Sequence, residues 1–376
     1  MGTRARTISL GLTALAVLSL LALGTVSTRA DWIEGLIAHW CFDPCEDAQG
    51  SSDCCAAHGT PGCEDPTCAA SVCSYDPYCC EVEWDGICAN EAATDPDCNC
   101  GAAAVVVPDC SGHGNDGQNS GATCVAGACG QALEILGTDI VWGIPFTMDD
   151  PIVSSQALTI SVFVNWYGAN EYGRASMVFD ARNYGNPCLG GFALAIDQDG
   201  KAYMNLYNPP RTVVSPDPVH AGWTHVAATF DAAAQSLRIF IDGREKNSTT
   251  TTGSYQNTAL NPAIGNNLFA PGDYQWAPLN GNVDELRIYD HVLSPSEMCQ
   301  LYSNCASPTL VGDLNCDGAV NFGDINPFVQ YLSDFVAWQG AYCCPARNGD
   351  INGDGSYGQG SFADINPFVA LLSGTK

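Results

Sequence analysis

The stretch Leu158-Thr159-Ile160-Ser161-Val162-Phe163-Val164-Asn165-Trp166 alternates with a period of two. Ile160, Val162, Val164 and Trp166 share one face, and Thr159, Ser161 and Asn165 share the other, the pattern of a strand with one side in a core. The same reading extends outward. Phe192 to Ile196 and Ala202 to Tyr207 flank Asp197-Gln198-Asp199-Gly200, while Trp223 to Phe230 and Leu237 to Ile241 flank Asp231 to Ser236, which predicts two hairpins. Val283 to Tyr289 is expected to be a last strand, and Leu36 to Asp43 a short first one. Short strands joined by Gly, Asn, Asp and Pro turns, with no long helical pattern between them, predict a mainly β antiparallel sandwich.

The 376 residues include 41 acidic and 13 basic side chains. A surface this acidic repels phosphate backbones and anionic headgroups, which argues against nucleic-acid binding and membrane-surface docking. Arg4 and Arg6 precede an apolar stretch from Ile8 to Leu23, and Thr28-Arg29-Ala30 offers small residues at a cleavage site. Residues 1–30 therefore read as a signal peptide, with Asp31 first in the mature chain and no transmembrane anchor after cleavage. Loss of three arginines moves the formal charge from −28 to −31. The expected location is secreted, extracellular or at the cell surface.

Twelve of the 21 cysteines fall between Cys41 and Cys100, a density that exported chains use for disulfides. Residues 44–100 form a cysteine-rich block in which Asp65-Pro66-Thr67-Cys68 and Asp76-Pro77-Tyr78-Cys79 are near-copies. A zinc module is the rival reading, but the expected Cys-x-x-Cys pairs are missing. Cys299 and Cys305 are spaced to close a small loop, and Cys188 is isolated. The odd total leaves one thiol unpaired or one bridge between chains.

Several local patterns, taken in order, resemble the laminin-G-like, concanavalin A-like jelly rolls of bacterial secreted proteins. They are Ile37 to Asp43, Asp109 to Gly117, Leu158 to Val164, Gly222 to Ala227, Ile241-Asp242-Gly243 and Gly281 to Tyr289, which runs into Leu293 to Met298. The cysteine-rich block separates the first two patterns, which implies a jelly roll over 31–305 interrupted by an insert at 44–100. The fold also serves laminarinase-type hydrolases, whose two glutamates and aspartate lie on one strand as Glu-x-Asp-x-x-Glu. The mature chain has eleven glutamates and none in that spacing. Asp284-Glu285 comes nearest, but strand neighbours are expected on opposite faces. The ten mature basic residues are too scattered for sialidase-like chemistry. The resemblance implies a calcium ion at Asp284, helped by Asp43, and ligand contacts from loop aromatics, for which Trp142, Tyr172, Tyr184, Tyr274 and Trp276 are candidates.

Residues 306–376 carry the strongest chemical motif. In Asp313-Leu314-Asn315-Cys316-Asp317-Gly318-Ala319-Val320-Asn321-Phe322-Gly323-Asp324, oxygen side chains occupy positions 1, 3, 5, 9 and 12, with Gly at 6. That is an EF-hand-type calcium loop with ligands Asp313, Asn315, Asp317, the Ala319 carbonyl, Asn321 and Asp324. Asp350, Asn352, Asp354 and Ser356 repeat positions 1, 3, 5 and 7, and Asp364 to Val369 copies Asp324 to Val329. Gly358-Gln359-Gly360 is an insertion of three, and the second site can form if it bulges outward. Each loop should lead into a short helix with Pro tolerated in its first turn. The pair resembles a type I dockerin, which implies Ca2+ as cofactor and a cohesin-like partner. Phe322-Gly323 and Phe362-Ala363 replace the hydroxyl residues that dockerins often carry there. Cys316 is placed to pair with either Cys343 or Cys344. These readings together predict a secreted, non-catalytic calcium-binding protein, whose jelly roll binds a carbohydrate or a surface protein and whose C-terminal module attaches to a protein. The alternatives are a carbohydrate-active enzyme of a cellulosome-like system and a structural envelope protein.

Overall fold

The alternating segments become strands because their β-branched and aromatic side chains can fill a slab from both sides. The computed structural model describes residues 34–43, 54, 60–84, 87–88, 91–92, 95, 97–98, 105–136, 140–142, 144, 156–170, 173–183, 190–207, 210–254, 262–266 and 276–374. The expected signal peptide, with Arg4, Arg6 and Asp31, lies outside them, as do Cys188, Tyr172, Tyr184 and Tyr274. The strands in chain order are β1 (Leu36–Trp40), β2 (Val105–Val107), β3 (Gly117–Ser120), β4 (Thr123–Ala126), β5 (Gln131–Ile135), β6 (Ile140–Trp142), β7 (Ala157–Trp166), β8 (Ala175–Asn183) and β9 (Gly190–Ile196). There follow β10 (Ala202–Leu206), β11 (Arg211–Val214), β12 (Trp223–Asp231), β13 (Ser236–Ile241), β14 (Arg244–Thr250), β15 (Ala263–Ile264), β16 (Trp276–Ala277) and β17 (Gly281–Tyr289).

They form two sheets. The first runs β14-β13-β12-β7-β17-β5-β4, with β1 also on β17, and the second runs β11-β10-β9-β8-β15-β6-β3-β2, with β16 on β8. The predicted antiparallel sandwich is present, and both expected hairpins form. Ala202 pairs with Ile196 across the first hairpin. Its turn is held by Asp197 Oδ1, which accepts from the Asp199 and Lys201 amides. Gly200 supplies the φ of +80° that this turn requires. Between the sheets lie Ile160, Val162 and Val164 of β7 with Phe179, Phe192 and Leu194, all essentially solvent-free.

The insert has its own small core of Cys68, Val72, Cys79, Trp84 and Cys88. Both near-copies are helix starts. Asp65 caps α1 (Pro66–Tyr75) by accepting from the Thr67 and Cys68 amides, and Asp76 accepts from the Tyr78 amide at the start of the one-turn α2 (Tyr78–Glu81). The cysteines here form disulfides: Cys54–Cys63, Cys68–Cys98, Cys73–Cys80 and Cys79–Cys88. Cys41–Cys110 joins the two ends of the interruption. All the described cysteines are disulfide-bonded, so the leftover of the odd total lies outside the described residues. The loop expected between Cys299 and Cys305 does not form. Cys305 bridges to Cys129 and Cys299 to Cys343, because helix α3 (Pro295–Cys305) carries them to different neighbours.

The outer face of the first sheet departs from simple alternation, for Thr159, Ser161 and Phe163 are as buried as the core face. The cause is α3, which starts at a Ser294–Glu297 capping box and brings Met298 and Leu301 against Ala227, Phe240 and Tyr289. Under this cover His225 bonds Ser161 Oγ at 2.8 Å through Nε2, and burial pushes its pKa down to about 4. C-terminal to α3 come α4 (Ile325–Ser333), α5 (Phe335–Tyr342) and α6 (Ile365–Ser373). The two expected post-loop helices are α4 and α6, and α5 is an additional helix in the linker. Phe328 and Phe368 meet at 4.2 Å between ring centroids, over a core with Leu314, Tyr331 and Trp338. The module is joined to the sandwich by Cys299–Cys343, by Ser303 Oγ donating to the Cys344 carbonyl, and by Arg244 Nη2 donating to the Tyr342 carbonyl at 2.9 Å. No helix among the described residues is long and apolar enough to cross a membrane.

Two outcomes are expected. Leu194→Ala should lower unfolding stability in denaturant by about 2–5 kcal/mol, while Thr250→Ala, exposed at the end of β14, should stay within about 0.5 kcal/mol. His225 is held below its ordinary pKa, whereas a hydrogen bond to Asp242 holds His220 above it. Ring-nitrogen NMR at pH 5.5 should therefore find His225 neutral and His220 protonated. The same sign makes His225 a source of acid lability, because below about pH 6.5 the unfolded chain takes up the proton that the folded one refuses.

Candidate metal centres and binding face

The first C-terminal loop folds around its own carboxylates. Asp313 Oδ2 accepts from the Gly318 amide at 2.9 Å and Oδ1 from the Asp317 amide at 3.3 Å. Asp324, fully buried, accepts from the Leu314 and Asn315 amides on Oδ1 and from Asn321 on Oδ2. Asn315 Oδ1 takes the Asp317 amide, and Asp317 Oδ1 takes the Ala319 amide. These bonds gather the predicted donors Asp313, Asn315, Asp317, Asn321 and Asp324 into one turn, with the Ala319 carbonyl beside Asn321 Nδ2 at 3.3 Å.

The second loop repeats this with two differences. Asp364 Oδ1 accepts from the Ile351 and Asn352 amides, and Asp350 Oδ2 from Gly355, as their counterparts do. Asp354 Oδ1 accepts from the Ser356 amide, and that bond, with one from Asn352, holds its carboxyl below the usual range. The other oxygens, Asp350 Oδ1 and Asp364 Oδ2, are buried without a hydrogen-bond partner. The second difference is the insertion. Instead of bulging outward it turns inward, with the Gly358 amide on Tyr331 Oη at 2.7 Å and Gly360 on the Leu332 carbonyl. The apolar faces of α4 and α5 hold it there.

Asp284 lies on β17, where the pairing with β7 slips between Asp284 and Arg287. Glu285 takes up the extra residue at φ +53°. The expectation that Asp284 and Glu285 point to opposite faces is therefore wrong, since the bulge turns both outward. Asp284 Oδ2 accepts from the Cys129 amide at 2.9 Å, while Glu285 meets His39 Nε2 at 2.9 Å and the Arg287 guanidinium. Arg287 and His39 hold Glu285 low against its desolvation. Asp284 bonds to neither cation and feels Arg287 only through its charge, the last and smallest influence on it. Burial, then the Glu285 charge, then Asp43, push it up to about 8, and its Oδ1 is buried and unpartnered. Asp43 Oδ1 accepts from the Gln131 amide at 2.7 Å. A Cβ on Gly127 would fall 2.5 Å from Asp284 Oδ2, and one on Gly130 would fall 2.2 Å from Asp43 Oδ2. Only glycines leave the two carboxylates this close to the 127–131 loop.

Of the loop aromatics expected as ligand contacts, two lie among the described residues. Trp142 ends β6 and is half exposed, Trp276 opens β16, and the three tyrosines lie outside the described residues. A different group is brought together on the outer face of the second sheet. There Tyr203, Asn205 and Tyr207 project opposite the core residues Ala202, Met204 and Leu206. Beside them, buried Arg182 makes a two-point pair with Asp180 (2.7 and 2.9 Å) and lies 5.6 Å from the Tyr207 ring centre. Thr212 Oγ1 donates to Asn205 Oδ1 at 2.6 Å. The period of two in Ala202-Tyr203-Met204-Asn205-Leu206-Tyr207 carried this signal in the sequence. Arg182→Leu should strand the buried Asp180 and cost about 3–5 kcal/mol in denaturant unfolding, while Asp180→Leu with Arg182→Leu costs less than the single change.

Residues 144–299 match a laminin-G family model described as the concanavalin A-like lectin/glucanases superfamily. No curated protein matches the chain. Similar solved structures include the binding domain of paraclostridial mosquitocidal protein 1, at 16% identity and TM-score 0.38, covering 52% of this chain and 49% of that one. Another is domain 4 of AbnA, a GH43 extracellular arabinanase from Geobacillus stearothermophilus, in complex with arabinotriose (22% identity, TM-score 0.37, 49% and 82% covered). A third is botulinum neurotoxin type C, from work on its interaction with two ganglioside molecules (14%, TM-score 0.40, 55% and 50%). The chain spans about half the length of the first and third of these. Residues 144–299 have the concanavalin A-like lectin/glucanase fold.

Proposed function

We propose that the protein is a secreted, non-catalytic calcium-binding protein whose sandwich binds a carbohydrate and whose C-terminal module docks to a protein. The observation that carries this is the pair of buried, unpartnered oxygens in the second loop, Asp350 Oδ1 and Asp364 Oδ2. Burying a carboxylate oxygen without a donor is costly, and one at the first and one at the last ligand position of the same loop fit a hard cation. Asp313, Asn315, Asp317, Ala319, Asn321 and Asp324 would hold one calcium, and Asp350, Asn352, Asp354, Ser356 and Asp364 a second. Asp284 with Asp43 would hold a third, since its open Oδ1 and raised pKa ask for a positive neighbour. The ions would supply charge neutralisation and closure of the loops. The chain's own amides already orient the donors.

The non-catalytic reading is supported by Asp284 and Glu285, which are 0% and 3% exposed and engaged by Cys129, His39 and Arg287. Carbohydrate binding is supported by the second sheet's outer face, where tyrosine rings stand beside an amide, a hydroxyl and a fixed guanidinium. Protein docking is supported by a duplicated exposed set. Phe322, Ile325 and Val329 are matched by Phe362, Ile365 and Val369, with Phe322 and Phe362 at 76% and 65% exposed. A partner for this face would present apolar surface, unlike the hydroxyl-reading face of a cellulosomal cohesin. The disulfides fit an extracellular location.

Calcium titration of the full protein by calorimetry should find three sites. Asp324→Ala, Asp364→Ala and Asp284→Asn should each remove one, and calcium at 100 times its dissociation constant should add about 2.7 kcal/mol per site to stability. No heat of binding and no stabilisation would refute the calcium reading. A glycan array read beside a reducing-sugar assay tests the rest, because sugar release would make the protein an enzyme.

A further inference from the structure

The two loops share one pattern but are held differently. Position 4 of the first loop is Cys316, bridged to Cys344, whereas position 4 of the second is Gly353. The first loop is gripped at two more points. Trp338 Nε1 donates to the Leu314 carbonyl and Asn348 Nδ2 to the Asp313 carbonyl, each at 2.9 Å. Cys343, adjacent to Cys344, ends α5 at φ +52° and bridges to Cys299 of α3. Neighbouring cysteines thus send one bridge into the sandwich and the other into the metal loop. In the second loop no cysteine is present, and the oxygens at its first and last ligand positions are the unpartnered ones.

Resting on the calcium reading above, we propose that the Cys316–Cys344 bridge is the positioning element of the first site, so that the two sites differ in kind. Both are closed by their own amides, but the first is also stapled covalently and tied to the sandwich, whereas the second is held by hydrogen bonds alone. A bridge spanning 28 residues removes open conformations of the first loop before calcium arrives, so less ordering is left for the ion to impose. The second loop, closed by the same amide bonds but with no covalent staple, keeps more of its open conformations for the ion to remove. Neither cysteine is a ligand, and both act through the placement of Asp313 to Asp317.

The test uses the full protein with Cys316→Ser and Cys344→Ser combined, in two backgrounds. With the second loop disabled by Asp364→Ala, removing the bridge should weaken the remaining C-terminal calcium site at least tenfold. With the first loop disabled by Asp324→Ala, the same removal should leave the second site within twofold. Hydrogen exchange in chelator adds a readout that needs no variant. The Leu314, Asn315 and Gly318 amides should exchange more slowly than Ile351, Asn352 and Gly355, which make the same bonds without a staple, and calcium should narrow the difference. Cys299→Ser with Cys343→Ser, which cuts the link to the sandwich but keeps the staple, should preserve the first site's affinity. Equal losses in both backgrounds would make the bridge a general strut and overturn the proposal, as would no loss in either. Absence of calcium binding by the unmodified protein would instead remove the calcium reading itself.

Discussion

The slip of one residue in β17 is the constraint on which the rest of the sandwich depends. This strand pairs with β7, β5 and β1, so an extra residue in it is felt by three neighbours at once. It turns Asp284 and Glu285 to the same outer face, in a layer already closed by the Cys129–Cys305 bridge and α3. Two buried carboxylates side by side repel, and the fold answers them differently. Glu285 receives Arg287 and His39, and Asp284 receives one amide on Oδ2, its Oδ1 buried and unpartnered, with the Asp43 charge adding to the repulsion. Both acids end up buried, in contact with Cys129, His39 and Arg287 rather than with solvent.

Much of this was legible in the sequence where the deciding interactions are local. The two C-terminal loops are local devices whose turn glycine and following helix are set by near neighbours, and Asp313 to Asp324 closes on its own carboxylates. The hairpin around Asp197 to Gly200 is similarly self-contained. The bulge was not legible, because alternation in Val283 to Tyr289 reads smoothly until the partner strand fixes where it slips. Cysteine pairing was illegible for the same reason. Cys299 and Cys305 lie six residues apart, yet α3 gives them unrelated partners. The inward turn of Gly358 to Gly360 depends on Tyr331 and Phe335, which the sequence places far from it. The Tyr203, Asn205 and Tyr207 face was written in plain alternation but sits on a strand, and attention to loop aromatics passed over it.

The C-terminal module has few large apolar side chains to bury, chiefly Phe328, Tyr331, Trp338 and Phe368. A unit this small gains little from area alone and needs staples. The chain supplies covalent ones at Cys316–Cys344 and Cys299–Cys343, and the loops supply candidate ionic ones. That division explains why Phe322 and Phe362 can point into solvent. Apolar rings that would help a small core are instead left outside it, one per repeat, at the end of each loop. A fold under pressure to bury apolar area does not give up two phenylalanines without another use for them. Their duplication beside Ile325 and Ile365 puts the same apolar surface on both repeats. The excess of acid then has two physical roles: gathered in the loops it accepts the amides that close them and offers oxygens to the proposed cations, and spread over the remaining surface it keeps exposed apolar faces from associating at random.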